Sequence, residues 1–268
     1  MKEGLPKRYV DRARLFLELV RKYGAIRNGQ TLLELGTGWV HWESTCLRLL
    51  YDADFTLFDV WDNRLFNTFK LYFAEFAREI DQAIEMSPAE RERVHRLLTA
   101  IGSTKSFDDL YQLLGFRYII EPSGTLSRFH DESFDAIFSC DVLEHVDRDM
   151  LASYIQDFNR ILKPGGYSIH QIDIADHLAY YDSAVSKKNY LRYSNRAWNL
   201  FFENDVQYFN RVQRSEWLSL FDKAGLVLVE QVSLPYNADT IRVHKSYENL
   251  EKQDLECITL RVVHRKPG

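Results

Sequence analysis

The chain has 268 residues, 46% hydrophobic and 27% charged, with a net charge of −5. This composition fits a globular protein with a full core, and no apolar run approaches the roughly 18 residues that span a bilayer. Net negative charge argues against nucleic acid as a partner, the opening segment shows no apolar signal core, and three scattered cysteines (Cys46, Cys140, Cys257) fit a reducing cytoplasm better than a disulfide framework or a cysteine zinc site.

Residues 7–23 place Val10, Ala13, Leu17 and Val20 at helical spacing and stop at Gly24, which predicts an amphipathic helix within the N-terminal segment 1–28. The apolar run from Thr31 predicts a strand that ends in Glu34-Leu-Gly36-Thr37-Gly38, where two glycines let the chain turn sharply with no Cβ in the way of a ligand. A core helix over 44–51 and a second strand over 55–60, closed by Asp59, follow. The stretch 64–115 is long for one crossover and predicts two or three helices, one opened by Ser87-Pro-Ala-Glu90 and a short one by Ser106-Phe-Asp-Asp109; each serine is a good N-cap with an acid three residues on. Strands are predicted over 117–121 and 134–141, an amphipathic helix over 148–162 stopped by Lys163-Pro-Gly-Gly166, and a fifth strand over 166–173. Residues 176–213 read as irregular and aromatic, Ser215 is expected to cap a helix that Gly225 stops, and 226–232 and 258–263 are the last strands. The basic clusters Lys187-Lys188 and 211–214 read as solvated faces. Strands alternating with helices imply a parallel sheet with right-handed crossovers, here in a single domain spanning 1–268.

A glycine pair at a strand end suits a nucleotide-like ligand, and a carboxylate at Asp59 can accept hydrogen bonds from both ribose hydroxyls. The dinucleotide fingerprint needs a third glycine where His41 stands, which disfavours a nicotinamide oxidoreductase, and no Gly-Lys-Ser/Thr follows to make a P-loop. Glu34-Leu-Gly-Thr-Gly38 with Asp59, Ser133-Phe-Asp-Ala-Ile-Phe-Ser-Cys-Asp-Val-Leu-Glu-His-Val146, and Arg160-Ile-Leu-Lys-Pro-Gly-Gly166, in this order and spacing, resemble the motifs of the class I S-adenosylmethionine-dependent methyltransferase superfamily. That resemblance implies an α/β, Rossmann-like, seven-stranded and mostly parallel sheet, its last strand antiparallel, with helices on both faces and helical insertions. It also implies S-adenosyl-L-methionine as cofactor, lying over the ends of strands one, two and four, and S-adenosyl-L-homocysteine as product. The implied contacts are Glu34, Gly36, Thr37 and Gly38 with the methionine part, Asp59 with the ribose, backbone near Leu126 with the adenine, and Cys140 and Asp141 at the end of strand four. Leu126 enters because the third-strand region, 121–126, lacks the superfamily's usual acid. Gly36-Thr-Gly-Trp39, His170-Gln-Ile-Asp173-Ile-Ala-Asp176-His177, Tyr190-Leu-Arg-Tyr193, Asn210-Arg211 and Ser215-Glu-Trp217 resemble a narrower bacterial group associated with polysaccharide or sugar modification.

Methyl transfer displaces a sulfonium in line and often requires removal of a proton from the acceptor. His170 is the first candidate base and His145 the second; Asp173 could orient the imidazole, and Asp176 and His177 could grip hydroxyls beside it. Asp141, Glu144 and His145 at i, i+3, i+4 would share a helical face and, with His170 or His177, could begin a metal shell; they read instead as a capping cluster at a helix start, so no metal is expected. The segment 176–213 is expected to form a substrate lid whose rings, Tyr180, Tyr181, Tyr190, Tyr193, Trp198 and Tyr208, either cover the acceptor or pack on the core. The insertion 64–115 would shape a lid or the contact of a homodimer. The resulting expectation is cytoplasmic O-methylation of a small-molecule substrate, a sugar or sugar-like metabolite, without nucleic acid or membrane. N-methylation of a small amine and a cofactor-binding module without catalysis are the alternatives.

Overall fold

The computed structural model describes residues 4–202, 208–237 and 241–268. Along the chain run α1 (Lys7–Tyr23), β1 (Thr31–Leu35), α2 (Trp42–Leu50), β2 (Asp54–Asp59), α3 (Phe66–Ala83), α4 (Pro88–Ser103), α5 (Phe107–Leu114), β3 (Phe116–Ile120) and β4 (Phe134–Cys140). After these come α6 (Leu151–Ile161), β5 (Leu162–Asp173), α7 (Asn195–Phe201), α8 (Arg214–Lys223), β6 (Val227–Pro235), α9 (Lys252–Glu256) and β7 (Cys257–Arg265). The strands form a seven-stranded sheet in the order β3-β2-β1-β4-β5-β7-β6. β1, β2 and β3 pair in parallel and β6 runs antiparallel to β7. This is the Rossmann-like α/β fold expected, and no described helix is long and apolar enough to cross a membrane.

The chain divides into two compact units, Met1–Phe138 with Ile161–Tyr167 and Ser139–Arg160 with Ser168–Gly268. In the first unit, α1 buries Ala13, Phe16, Leu17 and Val20 and ends at Gly24 in the left-handed conformation. The insertion is three helices, the upper of the two numbers expected. Ser87 and Glu90 form a capping box, Pro88 is the first helical residue of α4, and the Ser106 hydroxyl accepts the Asp109 amide at the start of α5. α3 buries Phe69, Phe73, Phe76 and Ile80, and the Trp42 ring of α2 lies 4.8 and 5.0 Å from those of Phe73 and Phe76. The Lys163-Pro-Gly-Gly166 run is not a turn before the fifth strand; it lies inside β5, which starts directly after α6. A Cβ on Gly166 would meet the Asp135 and Lys163 carbonyl oxygens at 2.9 Å, so glycine lets β5 approach β4 closely. The Asp135 carboxylate fastens this corner, accepting from Lys163 Nζ at 2.7 Å and from the Thr31 amide at 2.8 Å.

In the second unit the segment after β5 contributes a small core of its own. Tyr190, Leu191, Trp198 and Phe209 are buried together, whereas Tyr180 and Tyr181 are exposed. Residues 203–207 of the expected lid and residues 1–3 of the N-terminal segment lie outside the described residues. Ser215 does not cap α8: Gln213 holds the cap position, and the Asp254 carboxylate accepts both the Ser215 amide and its hydroxyl at 2.8 Å, placing negative charge at the helix N-terminus. Lys188 is not on a solvated face either. It is fully buried, and its Nζ donates to Tyr190 OH at 3.0 Å, Gln213 Oε1 at 3.0 Å and the Asp254 carbonyl at 3.1 Å, while burial lowers its pKa to about 7. Lys188→Ala removes these bonds together and leaves buried acceptors unsatisfied; we expect a loss of roughly 3 kcal/mol in urea unfolding at neutral pH.

Candidate active site

The strand order reverses between β1 and β4, and in open α/β sheets ligands bind at the carboxyl ends of strands at such a point. At the end of β1, Gly36 and Gly38 both adopt positive φ, 62° and 63°. A Cβ on Gly38 would have room, meeting only the Gly36 carbonyl at 3.9 Å, so conformation and not space demands glycine there. The Gly36 amide donates to the Phe58 carbonyl at 2.8 Å. The Gly38 amide donates to Asp59 Oδ2 at 3.1 Å, and Asp59 Oδ1 accepts the Val60 amide at 2.8 Å. Each Asp59 oxygen therefore keeps lone-pair capacity for a ribose hydroxyl, and burial raises its pKa. Trp39, Val60 and Trp61 stand exposed on the two loops.

Glu34 does not present its carboxylate to a ligand. It is buried, accepts from the Thr37 hydroxyl at 3.0 Å and from the Ser44 hydroxyl, and so holds the turn from behind; burial and the nearby Glu43 push its pKa up. Thr37 is likewise buried, its hydroxyl turned inward. The Leu126 side chain is core and its carbonyl accepts the Phe129 amide at 3.0 Å.

In the second unit, Cys140 ends β4 half-buried, and Asp141 follows in the left-handed region, φ 56°. That conformation costs a non-glycine residue about 1–3 kcal/mol. It is held by the Asp141 amide on the Gln171 carbonyl and by Gln171 Nε2 on Asp141 Oδ1, both at 2.9 Å. Asp141, Glu144 and His145 do not share a helical face, because Leu143–His145 is a 3-10 turn and α6 begins only at Leu151. Asn210 shapes that turn, its Nδ2 donating to the carbonyls of Leu143 at 2.8 Å and Val146 at 3.1 Å. No local sequence signal links residues so far apart.

Burial sorts the histidines. His170, the first candidate base, is 1% exposed, with the rings of Phe158 and Phe221 stacked on it and its two nitrogens 2.7 Å from the hydroxyls of Ser139 and Ser168. Burial lowers its pKa to about 3. It is a core histidine with no free nitrogen, and the assignment as base is corrected on that ground. His145 is exposed, and its Nδ1 lies 2.7 Å from the Tyr208 carbonyl. A carbonyl only accepts, so in the neutral ring Nδ1 carries the proton and Nε2 is left with a lone pair.

The His177 ring lies 5.2 Å from that of His145, and Glu144, His145 and His177 bring one donor atom each within 4.8 Å of one another. Among the described residues these are the side chains grouped so as to hold a metal ion. Glu144 is buried, and neither of its oxygens makes a hydrogen bond of good geometry, although the amides of Glu144 and Asp173 lie near enough to lower its pKa; burial outweighs them and drives it well above the carboxylate range. Asp173 accepts Tyr180 OH at 2.6 Å and the Ala175 amide at 3.0 Å. Its Oδ2 is 3.7 Å from His177 Nε2, but burial lowers the His177 pKa to about 4, so at neutral pH this is no ion pair. Asp176 is buried and accepts the Leu178 amide at 2.9 Å. Asp173, His177 and Tyr180 thus join His145 and Glu144; His170 and Asp176 do not.

A family model described as a methyltransferase domain matches residues 7–231. The chain belongs to this methyltransferase family. Among solved structures, a candidate sarcosine dimethylglycine methyltransferase from Galdieria sulphuraria superposes with a TM-score of 0.55 at 12% identity, over 96% of this chain and 86% of its own. Phosphoethanolamine N-methyltransferase 2 of Haemonchus contortus, solved with S-adenosyl-L-methionine, gives 0.53 at 14% identity over 94% of this chain, which spans 52% of that protein. Geranyl diphosphate methyltransferase, also solved with this cofactor, gives 0.53 at 16% identity over 96% of this chain and 85% of its own. Such identities carry the fold alone. No curated protein sequence matches the chain.

The methyltransferase takes its methyl group from S-adenosyl-L-methionine, which sets the nicotinamide alternative aside. Its buried histidines make a pH prediction. The folded protein holds His170 near pKa 3 against 6.5 unfolded, so its stability contribution is complete above about pH 6.5 and is lost as pH falls toward 3. The stability advantage of wild type over H170Q, read by urea unfolding, should shrink by up to about 1.4 kcal/mol per pH unit across that window.

Proposed function

We propose that this methyltransferase transfers its methyl group to a hydroxyl of a small polar acceptor, a sugar or sugar-like metabolite, with His145 Nε2 taking the proton. The observation that carries the reading is the tautomer: the Tyr208 carbonyl holds Nδ1–H, and the ring is exposed with Nε2 free. An alcohol is a weak nucleophile until its proton leaves, and a positioned imidazole supplies roughly 10²–10⁴ in rate. Asp173 and Tyr180, joined at 2.6 Å, offer an acceptor and a donor suited to sugar hydroxyls. On the donor side, Asp59 would hold the ribose, with Val60 and Trp61 against the adenine; Gly36 and Gly38 would shape the turn under the methionine part, with Glu34 and Thr37 supporting it. A small-molecule acceptor suits polar groups of this size, and net charge −5 opposes nucleic acid.

The orphaned Glu144 carboxylate favours a second reading, in which Glu144, His145 and His177 hold a divalent cation. A bound cation would lower the pKa of the acceptor hydroxyl, and His145 would then be a ligand and not a base. N-methylation of an amine, which needs less help with a proton, is the further alternative.

Transfer to a panel of nucleotide sugars, free sugars and amines, with H145Q beside wild type, decides among these. We expect turnover on a hydroxyl acceptor, with kcat in H145Q down about 100-fold or more and affinity for S-adenosyl-L-homocysteine within twofold. Chelation with EDTA should leave activity intact; loss with recovery on Mg2+ or Mn2+ moves His145 to the cation reading, and turnover on amines that H145Q retains removes the base altogether.

A further inference from the structure

Behind the glycine turn lies a chain of hydrogen bonds that reaches into the helical insertion. His41 caps α2 in the left-handed conformation, φ 43°, and is wholly buried. Its Nδ1 is 2.7 Å from the hydroxyl of Thr37, the residue between the two turn glycines, and its Nε2 is 2.7 Å from Tyr111 OH on α5. Arg64 Nη1 donates to the same Tyr111 hydroxyl at 3.2 Å. Arg64 stands just ahead of α3, gripped by the Asp62 carboxylate at 2.8 and 2.7 Å, with its guanidinium 4.4 Å above the Tyr118 ring. The Phe107 ring, at the start of α5, packs 5.1 Å from His41.

One set of directions satisfies every link. Guanidinium only donates, so Tyr111 accepts from Arg64 and keeps its own proton for His41 Nε2. Burial lowers the His41 pKa to about 3, and a neutral imidazole accepting at Nε2 carries its proton on Nδ1, which it donates to Thr37. The Thr37 hydroxyl in turn donates to Glu34 Oε2. Each member is used once as donor and once as acceptor between the surface arginine and the buried carboxylate. Both ends of the insertion therefore converge on the residue that replaces the third fingerprint glycine.

We propose that His41 and Tyr111 are positioning residues that couple the docking of α5 to the shape of the Gly36–Gly38 turn, so that donor binding and the order of the insertion stabilise each other. The proposal rests on the reading that this turn holds the methyl donor. Coupling between two sites is reciprocal: whatever α5 contributes to donor affinity, the donor returns to α5. Removing the Tyr111 hydroxyl leaves a buried imidazole nitrogen without its donor and the Thr37 contact without its fixed partner.

The test is Tyr111→Phe, which keeps the ring and deletes the link. By calorimetry its Kd for S-adenosyl-L-homocysteine should rise about 10-fold, the KM for the donor should rise alike, and kcat and the KM for the acceptor should stay within twofold. In wild type, S-adenosyl-L-homocysteine should slow hydrogen exchange of the 107–114 amides, and in Tyr111→Phe that protection should vanish. In the His41→Asn background, where asparagine tolerates the left-handed conformation, Tyr111→Phe should add no further loss. Arg64→Gln, at the surface end of the chain, should weaken binding about threefold and serves if Tyr111→Phe folds poorly. Binding within twofold of wild type in both single variants, or no effect of ligand on α5 exchange in wild type, overturns the coupling. Asp59→Ala separates the two failures: if it too leaves affinity intact, the turn is not the donor site, whereas a loss confined to Asp59→Ala refutes the coupling alone.

Discussion

The candidate site of the first unit depends on a left-handed turn at the end of β1 that two glycines make possible and two carboxylates, Asp59 and Glu34, hold. Gly36 and Gly38 at φ 62° and 63° bend the chain over the strand end. Asp59 ties the turn to β2 through the Gly38 amide, and Glu34 ties it to α2 through the hydroxyls of Thr37 and Ser44. The price of the arrangement is a buried acid beside another, Glu43, which Arg12 partners. A turn so bound from two strands and a helix is shaped by the protein's own hydrogen bonds, and preorganisation of that kind lowers the ordering cost of binding.

In the second unit, burial decides which polar groups can do chemistry. Three of its histidines have pKa values lowered by burial: His170, His177 and His264. His145 is exposed with its tautomer held by a backbone carbonyl. Glu144, one residue away in sequence, is inside with its oxygens poorly satisfied. Such a contrast over two residues arises because a 3-10 turn, held by Asn210, replaces the first turn of a helix. Strain at Asp141, φ 56°, marks the same corner, and strained backbone persists only where surrounding bonds over-determine it.

The architecture was largely legible because its signals are local. Helical spacing in α1, the Ser87 and Ser106 caps, the glycine stops and the apolar runs of β1, β2 and β4 each act within a few residues, and their order alone dictates a parallel sheet. The boundaries that slipped were those where a distant partner competes with a local signal. Gly166 reads as a turn residue but serves close strand packing against Asp135, and Ser215 reads as a cap but bonds to Asp254.

Residue types at strand ends were legible in the same way: the glycine pair, Asp59 and the cluster of histidines and acids after β4 and β5 stand where the sequence places them. Their roles were not. His170 and His177 belong to one run in the sequence, yet one is sealed between Phe158 and Phe221 and the other stands beside His145. Lys188 reads as a surface charge and is buried on Tyr190, two residues on, and on Gln213 and Asp254, 25 and 66 residues away. The sequence by itself determined the order of strands and helices and the left-handed turn, since periodicity, capping and glycine conformation act over a few residues, and its ordered motifs, by their resemblance to a family, implied the methyl donor. Tertiary structure alone decided which histidine keeps a free nitrogen and which acids are buried, because solvent access and hydrogen-bond partners come from residues far away along the chain.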